Sequence, residues 1–153
     1  MKNLAQEKSS GDAVGTQHAA LCYRDGPKGK VEVLLITSRD TGRWVIPKGW
    51  PMKGLDAPQT AAQEAWEEAG VKGKVGKECL GLFSYGKVLG DATVLPTVVT
   101  VYPVKVTKLA RKYPEVGDRR RKWFVPAKAA TKVDEPELAE LIARFDPDRT
   151  GKG

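Results

Sequence analysis

Apolar residues fall into short continuous runs at the start and in the middle of the chain, and take helical spacing between and after them. The runs "HAALCY" (18–23) and "VEVLLIT" (31–37) predict two strands, and the Gly/Pro-rich "RDGPKGK" (24–30) between them predicts a turn. Together they read as a hairpin. "SRDTGR" (38–43) is a polar loop, and "WVIP" (44–47) is a short strand stopped by proline. In "KGWPMKGLDAP" (48–58) the glycines and prolines exclude regular structure over most of the length. A helix over 59–69 follows. Asp56 caps it, Gln59 completes a capping box, Pro58 is tolerable in the first turn, and Gly70 ends it. At about 100° per residue, Ala62, Ala65, Trp66 and Ala69 share one side, with Glu64, Glu67 and Glu68 opposite.

Strand-like patterning returns over 71–85, with an irregularity, over 93–106 and over 120–124. Pro96 and Pro103 predict that the second of these lies near a sheet edge or is broken at its ends. "PAKAATKV" (126–133) and "PELAELIARF" (136–145) read as helices. The second carries Leu138, Leu141, Ile142 and Phe145 at helical spacing. Strands, a helix, more strands and then helices predict an α+β fold, a mixed sheet with helices packed on it. No repeat and no second domain is visible. The expected layout is a flexible tail over 1–15, one domain over 16–146 and a loose tail over 147–153.

At 153 residues, 41% of them apolar, the chain has enough material for one ordinary core. No apolar run approaches the roughly 18 residues of a membrane span, and the N-terminus lacks a signal-peptide core. The two cysteines, Cys22 and Cys79, both sit among apolar neighbours. They form neither a CxxC pair nor a Cys/His cluster, which argues against a structural zinc site and predicts buried free thiols in a reducing cytoplasm. The net charge is +7. That balance suits a polyanionic partner without choosing among phosphates, nucleic acid and an acidic membrane. Part of the excess lies in "KLARK" (108–112) and "DRRRKW" (118–123), which read equally as solvated charge runs. Those runs lack interleaved aromatics for base stacking, which argues against a nucleic-acid-binding domain.

The candidate chemistry is in "QEAWEEAG" (63–70). Glu64, Glu67 and Glu68 stand at i, i+3 and i+4 with no cation between them. Like charges at that spacing repel by roughly 0.2–0.5 kcal/mol per pair. A solvated acidic face is the simpler reading of the glutamates taken alone. The preceding "PKGWPMKG" changes the balance. Its glycines permit close backbone approach, and Lys48 and Lys53 add positive charge. Carboxylates, open backbone and lysines together suit a hard divalent cation and a pyrophosphate.

The stretch "GWPMKGLDAPQTAAQEAWEEAGV" (49–71) resembles the Nudix box: G, five residues, E, seven residues, then R-E-U-x-E-E-x-G-U, where U is bulky and apolar. Gly49, Glu64, Glu67, Glu68, Gly70 and Val71 match in register, and Ala65 takes an apolar position. Two positions depart: Leu55 replaces the loop glutamate and Gln63 replaces the arginine. Losing both together leaves no orphaned charge, and Gln63 is expected to bond Glu67 one turn on. "HAALCY", "VLLITSRDTGRWVIPKGW", "EEAGVKGKVG" and "DRRRKWFVPAKAA" extend the resemblance toward the diphosphoinositol-polyphosphate and diadenosine-polyphosphate branch.

The resemblance implies an α/β/α sandwich with a central mixed sheet. It also implies a hydrolase that cleaves a phosphoanhydride in a diphosphoinositol polyphosphate or dinucleoside polyphosphate. Water attacks one phosphorus while Mg²⁺ or Mn²⁺ neutralises the bridging charge. Glu64, Glu67 and Glu68 become the catalytic metal ligands, with Glu64 and Glu68 primary and a backbone carbonyl at Lys48 or Gly49 completing the site. Arg39, Arg43, Lys48, Arg119 and Arg121 are candidates to clamp substrate phosphates. Glu115 and Asp91 are candidate bases, and His18 is read as a packed histidine. Trp44 and Trp123 are expected to pack, and Trp50 to line the pocket. The box leaves open ADP-ribose, a nucleoside triphosphate, a capped RNA end, or a binding module without turnover.

Overall fold

Strand β1 (Gly15–Asp25) is buried continuously from Ala19 to Cys22, so both of its faces are covered. Its side chains alternate between two cores, as do those of β2 (Val31–Thr37). Ala19, Leu21, Val33 and Leu35 point into one core, and Ala20, Cys22, Leu34 and Ile36 into the other. This computed structural model describes residues 13–150. The expected N-terminal tail therefore lies almost wholly outside the described residues, and the first strand begins at Gly15, earlier than the apolar run suggested.

One mixed sheet runs through the domain. β3 (Trp44–Val45), β2, β1, β7 (Val94–Leu109) and β5 (Val71–Val75) lie in that order. β4 (Lys48–Gly49) pairs with β1, β6 (Gly81–Val88) with β7, and β8 (Arg121–Phe124) with β2. β1 and β2 form the expected antiparallel hairpin, and β1 runs parallel to β7. Helix α1 (Ala57–Ala69) covers one face. Helices α2 (Pro126–Ala130) and α3 (Pro136–Ala143) cover the other with Ala129, Leu138 and Ile142. The result is the α+β sandwich that the sequence led to.

Several expectations change. β7 is central, not an edge, despite Pro96 and Pro103. Its first half pairs with β6 and its second with β5. Pro103 falls at the change of partner, and its carbonyl accepts the Gly76 N–H at 2.8 Å. Pro96 precedes the first β1 partner, Thr97. Each proline thus stands where a ladder hydrogen bond is dispensable. The strand expected over 71–85 is two strands, β5 and β6, separated by a turn that leaves Cys79 exposed. That corrects the reading of two buried thiols. Only Cys22 is buried, and burial pushes its thiol up to about 12. Within the expected C-terminal tail, Pro147–Thr150 form a helical turn, and 151–153 lie outside the described residues.

Candidate active site

The capping box forms as expected. Asp56 Oδ1 accepts the Gln59 N–H at 2.8 Å, and the Asp56 N–H donates to Gln59 Oε1 at 2.9 Å. Gly70 ends α1 in the left-handed region at φ 68°. The buried stripe, however, is Ala61, Ala65 and Ala69, not the set containing Ala62 and Trp66. Three alanines four apart let the helix backbone approach the sheet, whereas the Trp66 ring is displaced to the flank. There it meets Tyr113 edge-on at 6.5 Å and carries Lys72 Nζ at 5.3 Å. This rotation turns Glu64 and Glu68 inward: each is only 9% exposed. The acidic face is not the solvated side of the helix.

Glu64 lies so close to Gly49 that its carboxylate fills the space a Cβ there would occupy. The Lys48 N–H donates to Glu68 Oε1 at 3.4 Å. β4 thus lays its backbone directly over the two carboxyls, which also hydrogen-bond to one another. Glu67 does not join them. It accepts from Gln63 Nε2 at 2.8 Å, as the sequence suggested, and does not line the cleft. Leu55 is 38% exposed, so the lost loop glutamate leaves no buried hole. Among the described residues no three His, Cys, Asp or Glu side chains gather into a metal-holding group.

Above the glutamates opens a cleft of about 750 Å³. Arg39, Arg43, Lys48, Lys53, Lys87 and Arg119 give it a cationic lining, and Trp50 and Tyr85 give it aromatic walls. Arg119 is buried to 10% side-chain exposure. Its Nη2 stands 3.8 Å from Glu68 Oε2, its Nε donates to Glu115 Oε1 at 3.1 Å and its Nη1 to the Thr37 carbonyl at 3.2 Å. Arg39 stands 3.9 Å from both Glu115 and Asp118 and is largely exposed. Arg43 is held by Glu135, at 2.9 Å and 3.5 Å, and its Nε stands 3.7 Å from Asp134. It lines the cleft but also ties the 38–43 loop to the segment before α3. Lys48 Nζ lies 4.8 Å over the Tyr85 ring, and burial lowers its pKa.

Arg121 is placed elsewhere. It donates from Nη1 to the Ala69 carbonyl at 2.6 Å and from Nη2 to the Ala110 carbonyl at 2.8 Å, satisfying the end of α1 rather than facing the cleft. Asp91 accepts from the Thr93 N–H in the β6–β7 turn and does not line the cleft. His18 bonds Thr100 Oγ1 across strands at 2.7 Å. Trp44 packs edge-on against Phe124, and Trp123 carries the Arg24 guanidinium at 4.1 Å. The sequence did not point to Gln17, Tyr85, Lys87 or Glu135. Tyr85 donates to Gln17 Oε1 at 2.6 Å, and nothing in either strand's pattern marks that pair.

Burial, followed by the charge of Glu68 and the hydrogen bond to it, pushes Glu64 up to about 9. Burial raises Glu68 as well, against the lowering pull of Arg119. The folded state therefore holds a proton on Glu64 that the unfolded chain releases near pH 4.5. By linkage, that contribution to stability is complete below the unfolded value and is lost as pH rises toward 9. In chelator, the melting temperature is expected to fall between pH 5 and 9, and Glu64→Gln to flatten the decline. Added Mg²⁺ should restore most at the alkaline end. A wild-type melting profile parallel to that of the variant would overturn this reading of Glu64.

A mixed sheet between helical layers, with a glycine-led loop folded over the carboxyls of the next helix, defines a class of proteins built around one acidic loop–helix. The chain belongs to the Nudix family: the NUDIX domain model matches residues 15–145. It is 34% identical over 109 residues to diphosphoinositol polyphosphate phosphohydrolase 3-beta of Homo sapiens, covering 69% of this chain and 61% of that protein. It is 32% identical over 133 residues to diphosphoinositol polyphosphate phosphohydrolase 2 of Rattus norvegicus, covering 83% of this chain and 68% of that protein. The chain thus spans about three fifths of the length of the human relative. Among solved structures, a C. elegans Ap4A hydrolase superposes with TM-score 0.60 at 20% identity, covering 85% of this chain and 94% of that one. The MutT protein of Methanosarcina mazei Go1 does so with TM-score 0.61 at 20% identity, covering 95% and 100%. These structures share the fold. No helix among the described residues is long and apolar enough to cross a membrane.

Proposed function

We propose that this chain is a metal-dependent pyrophosphohydrolase that cleaves a phosphoanhydride bond in a diphosphoinositol polyphosphate or a dinucleoside polyphosphate. One observation carries the reading. Two buried carboxyls are pressed together under the backbone of Gly49, at the floor of a cleft lined with lysine and arginine. Two carboxyls crowded together in such a place suit a cation between them. Mg²⁺ and Mn²⁺ fit the donor set: oxygen ligands only, with room for water and phosphate oxygens to complete the shell. Magnesium sites of one or two carboxylates plus substrate phosphates are the common pattern. Glu64 and Glu68 would hold the ion, with the backbone at Lys48 and Gly49 beside them and Glu67 as a neighbour. When bound, the ion would neutralise charge at the bridging oxygen and acidify water.

The chain's own residues supply the rest. Arg39, Lys48, Lys53 and Lys87 offer charge to the phosphates that are not cleaved. Arg119 holds Glu68 and Glu115 in place and presents charge to the same anion. Water adds to one phosphorus, the bond to the bridging oxygen breaks, and that oxygen leaves with the electron pair. Neither candidate base lines the cleft; Glu115, bonded to Arg119 and close enough for its charge to act on Glu64 and Glu68, stands nearer the reacting water than Asp91. The free thiols suit a reducing, cytoplasmic setting.

A substrate panel tests the reading. Diphosphoinositol polyphosphates, dinucleoside polyphosphates, ADP-ribose, nucleoside triphosphates and capped RNA are each incubated with Mg²⁺ or Mn²⁺, and products are resolved by ion exchange. Turnover of one of the first two classes is expected. Turnover confined to the others would replace the substrate and keep the chemistry. Saturable binding without turnover would point to a binding module, the reading that Leu55 and Gln63 favour.

A further inference from the structure

Seven cations and no acid occupy the two segments 71–77 and 104–112. That excess equals the net charge of the whole chain, so the remaining residues are balanced. The fold brings the two segments together. β5 and the second half of β7 pair antiparallel, with Lys72 opposite Lys108 and Lys74 opposite Lys105. The register shift after Lys72 absorbs one extra residue of β7, so that each β5 lysine faces a β7 lysine. All four are exposed, and Lys77, Arg111 and Lys112 extend the positive surface. Lys72 touches the Trp66 ring. None of the four forms an ion pair with a carboxylate among the described residues.

Like charges directly opposite one another on paired strands are destabilising. Lysines on an edge strand protect it from pairing with another chain, which accounts for Lys72 and Lys74 on β5. It does not account for Lys105 and Lys108, which stand on an interior strand and face the edge lysines where glutamates would have paired with them. The catalytic cleft is remote. From Thr97, opposite Tyr85 in the cleft wall, to Lys105 is eight residues of strand, about 27 Å at the usual rise. No lysine of this surface lines the cleft.

We propose that this face binds the phosphodiester backbone of a nucleic acid, without reading its sequence. The surface is a ribbon of paired ammonium groups, which suits a linear polyanion. It carries no exposed large apolar side chain to enter a bilayer: those of the described residues lie at Val14, Leu55, Leu82, Val88, Val94, Val116 and Val125. It has no free aromatic for base stacking, because Trp66 is engaged by Lys72 and Tyr113. Recognition is therefore by phosphate and is salt-dependent. The assignment is independent of the hydrolase reading.

The test is fluorescence anisotropy with a labelled single-stranded RNA 20-mer of mixed sequence, in chelator, at 50 and 200 mM salt. If the four paired lysines each meet one phosphate, affinity falls on the order of 50-fold between the two salts, from a slope of about 0.7 per contact. K74E/K108E converts both like-charged pairs to opposite ones. It is expected to melt at or above the wild-type temperature while binding RNA at least about tenfold more weakly, with a shallower salt slope. RNA binding unchanged in this folded variant would overturn the proposal. So would full displacement of the RNA by excess diadenosine polyphosphate, which would place it in the cleft. Variant-sensitive binding to phosphatidylserine vesicles with no binding to RNA would overturn it in favour of a membrane.

Discussion

Glu68→Gln is expected to lower kcat by at least about 10²–10³-fold, the range seen when one pre-organised electrostatic group is removed from a reaction centre. Size and shape are kept, so the fold should persist. Glu68 is the junction of the site. It accepts from the Lys48 N–H, faces Arg119 and is paired with Glu64. A neutral amide leaves Glu64 as the one carboxyl of the pair for the cation. Apparent Mg²⁺ affinity, measured by calorimetry, should fall together with kcat. In the metal-free protein the same change removes a neighbour that keeps Glu64 protonated, so stability in chelator should hold or rise. Near-wild-type turnover would sink the assignment of the site.

Gly49→Ala is expected to cost about 10²-fold in turnover with little change in melting temperature. The added Cβ enters space held by the Glu64 carboxylate, the far end of a flexible side chain, so the helix and sheet need not move. Glu64 must move instead. A displacement of an ångström or so at a reacting centre is enough for a loss of that size. The half-saturating Mg²⁺ concentration should rise in parallel, and higher Mg²⁺ should recover part of the rate. A large fall in melting temperature instead would show that the backbone, not the carboxylate, had yielded.

Much of this site was legible before the fold. The spacing of Gly49, Glu64, Glu67, Glu68 and Gly70 is a local pattern, and capping by Asp56 and Gln59 depends only on neighbours in sequence. The mixed sheet with helices packed on it could be read from the order of apolar segments, and the sandwich from the resemblance. What escaped was set by tertiary choice. The helix could bury Ala61, Ala65 and Ala69 or the stripe one residue on, and only the sheet selects between them. That selection decides whether Glu67 enters the cleft. Arg119 and Arg121 are two residues apart and look alike in sequence, yet one enters the site and the other finishes α1. Strand alternation would aim residues two apart to the same face; Arg119 lies in the loop before β8 and Arg121 opens the strand, so the path of that loop separates them. Pro103 misled because a proline usually marks a strand edge, whereas here it marks a change of partner within one long strand.

β1 lies alongside β7 as a parallel neighbour, joining residues 15–23 to residues 97–105. A hairpin closes within a few residues, but this contact waits for the whole intervening chain, the acidic helix included. During synthesis the first strand leaves the ribosome long before its permanent neighbour exists, with only β2 and β4 available to it. Non-local pairing of this kind is slow to nucleate and leaves strand edges open meanwhile. Fragments that stop short of residue 105 would therefore be targets for chaperones and proteases, and the acidic helix, already backed by β1 and β2, would gain the last of its layer, Tyr102 and Val104, only as the last central strand arrives.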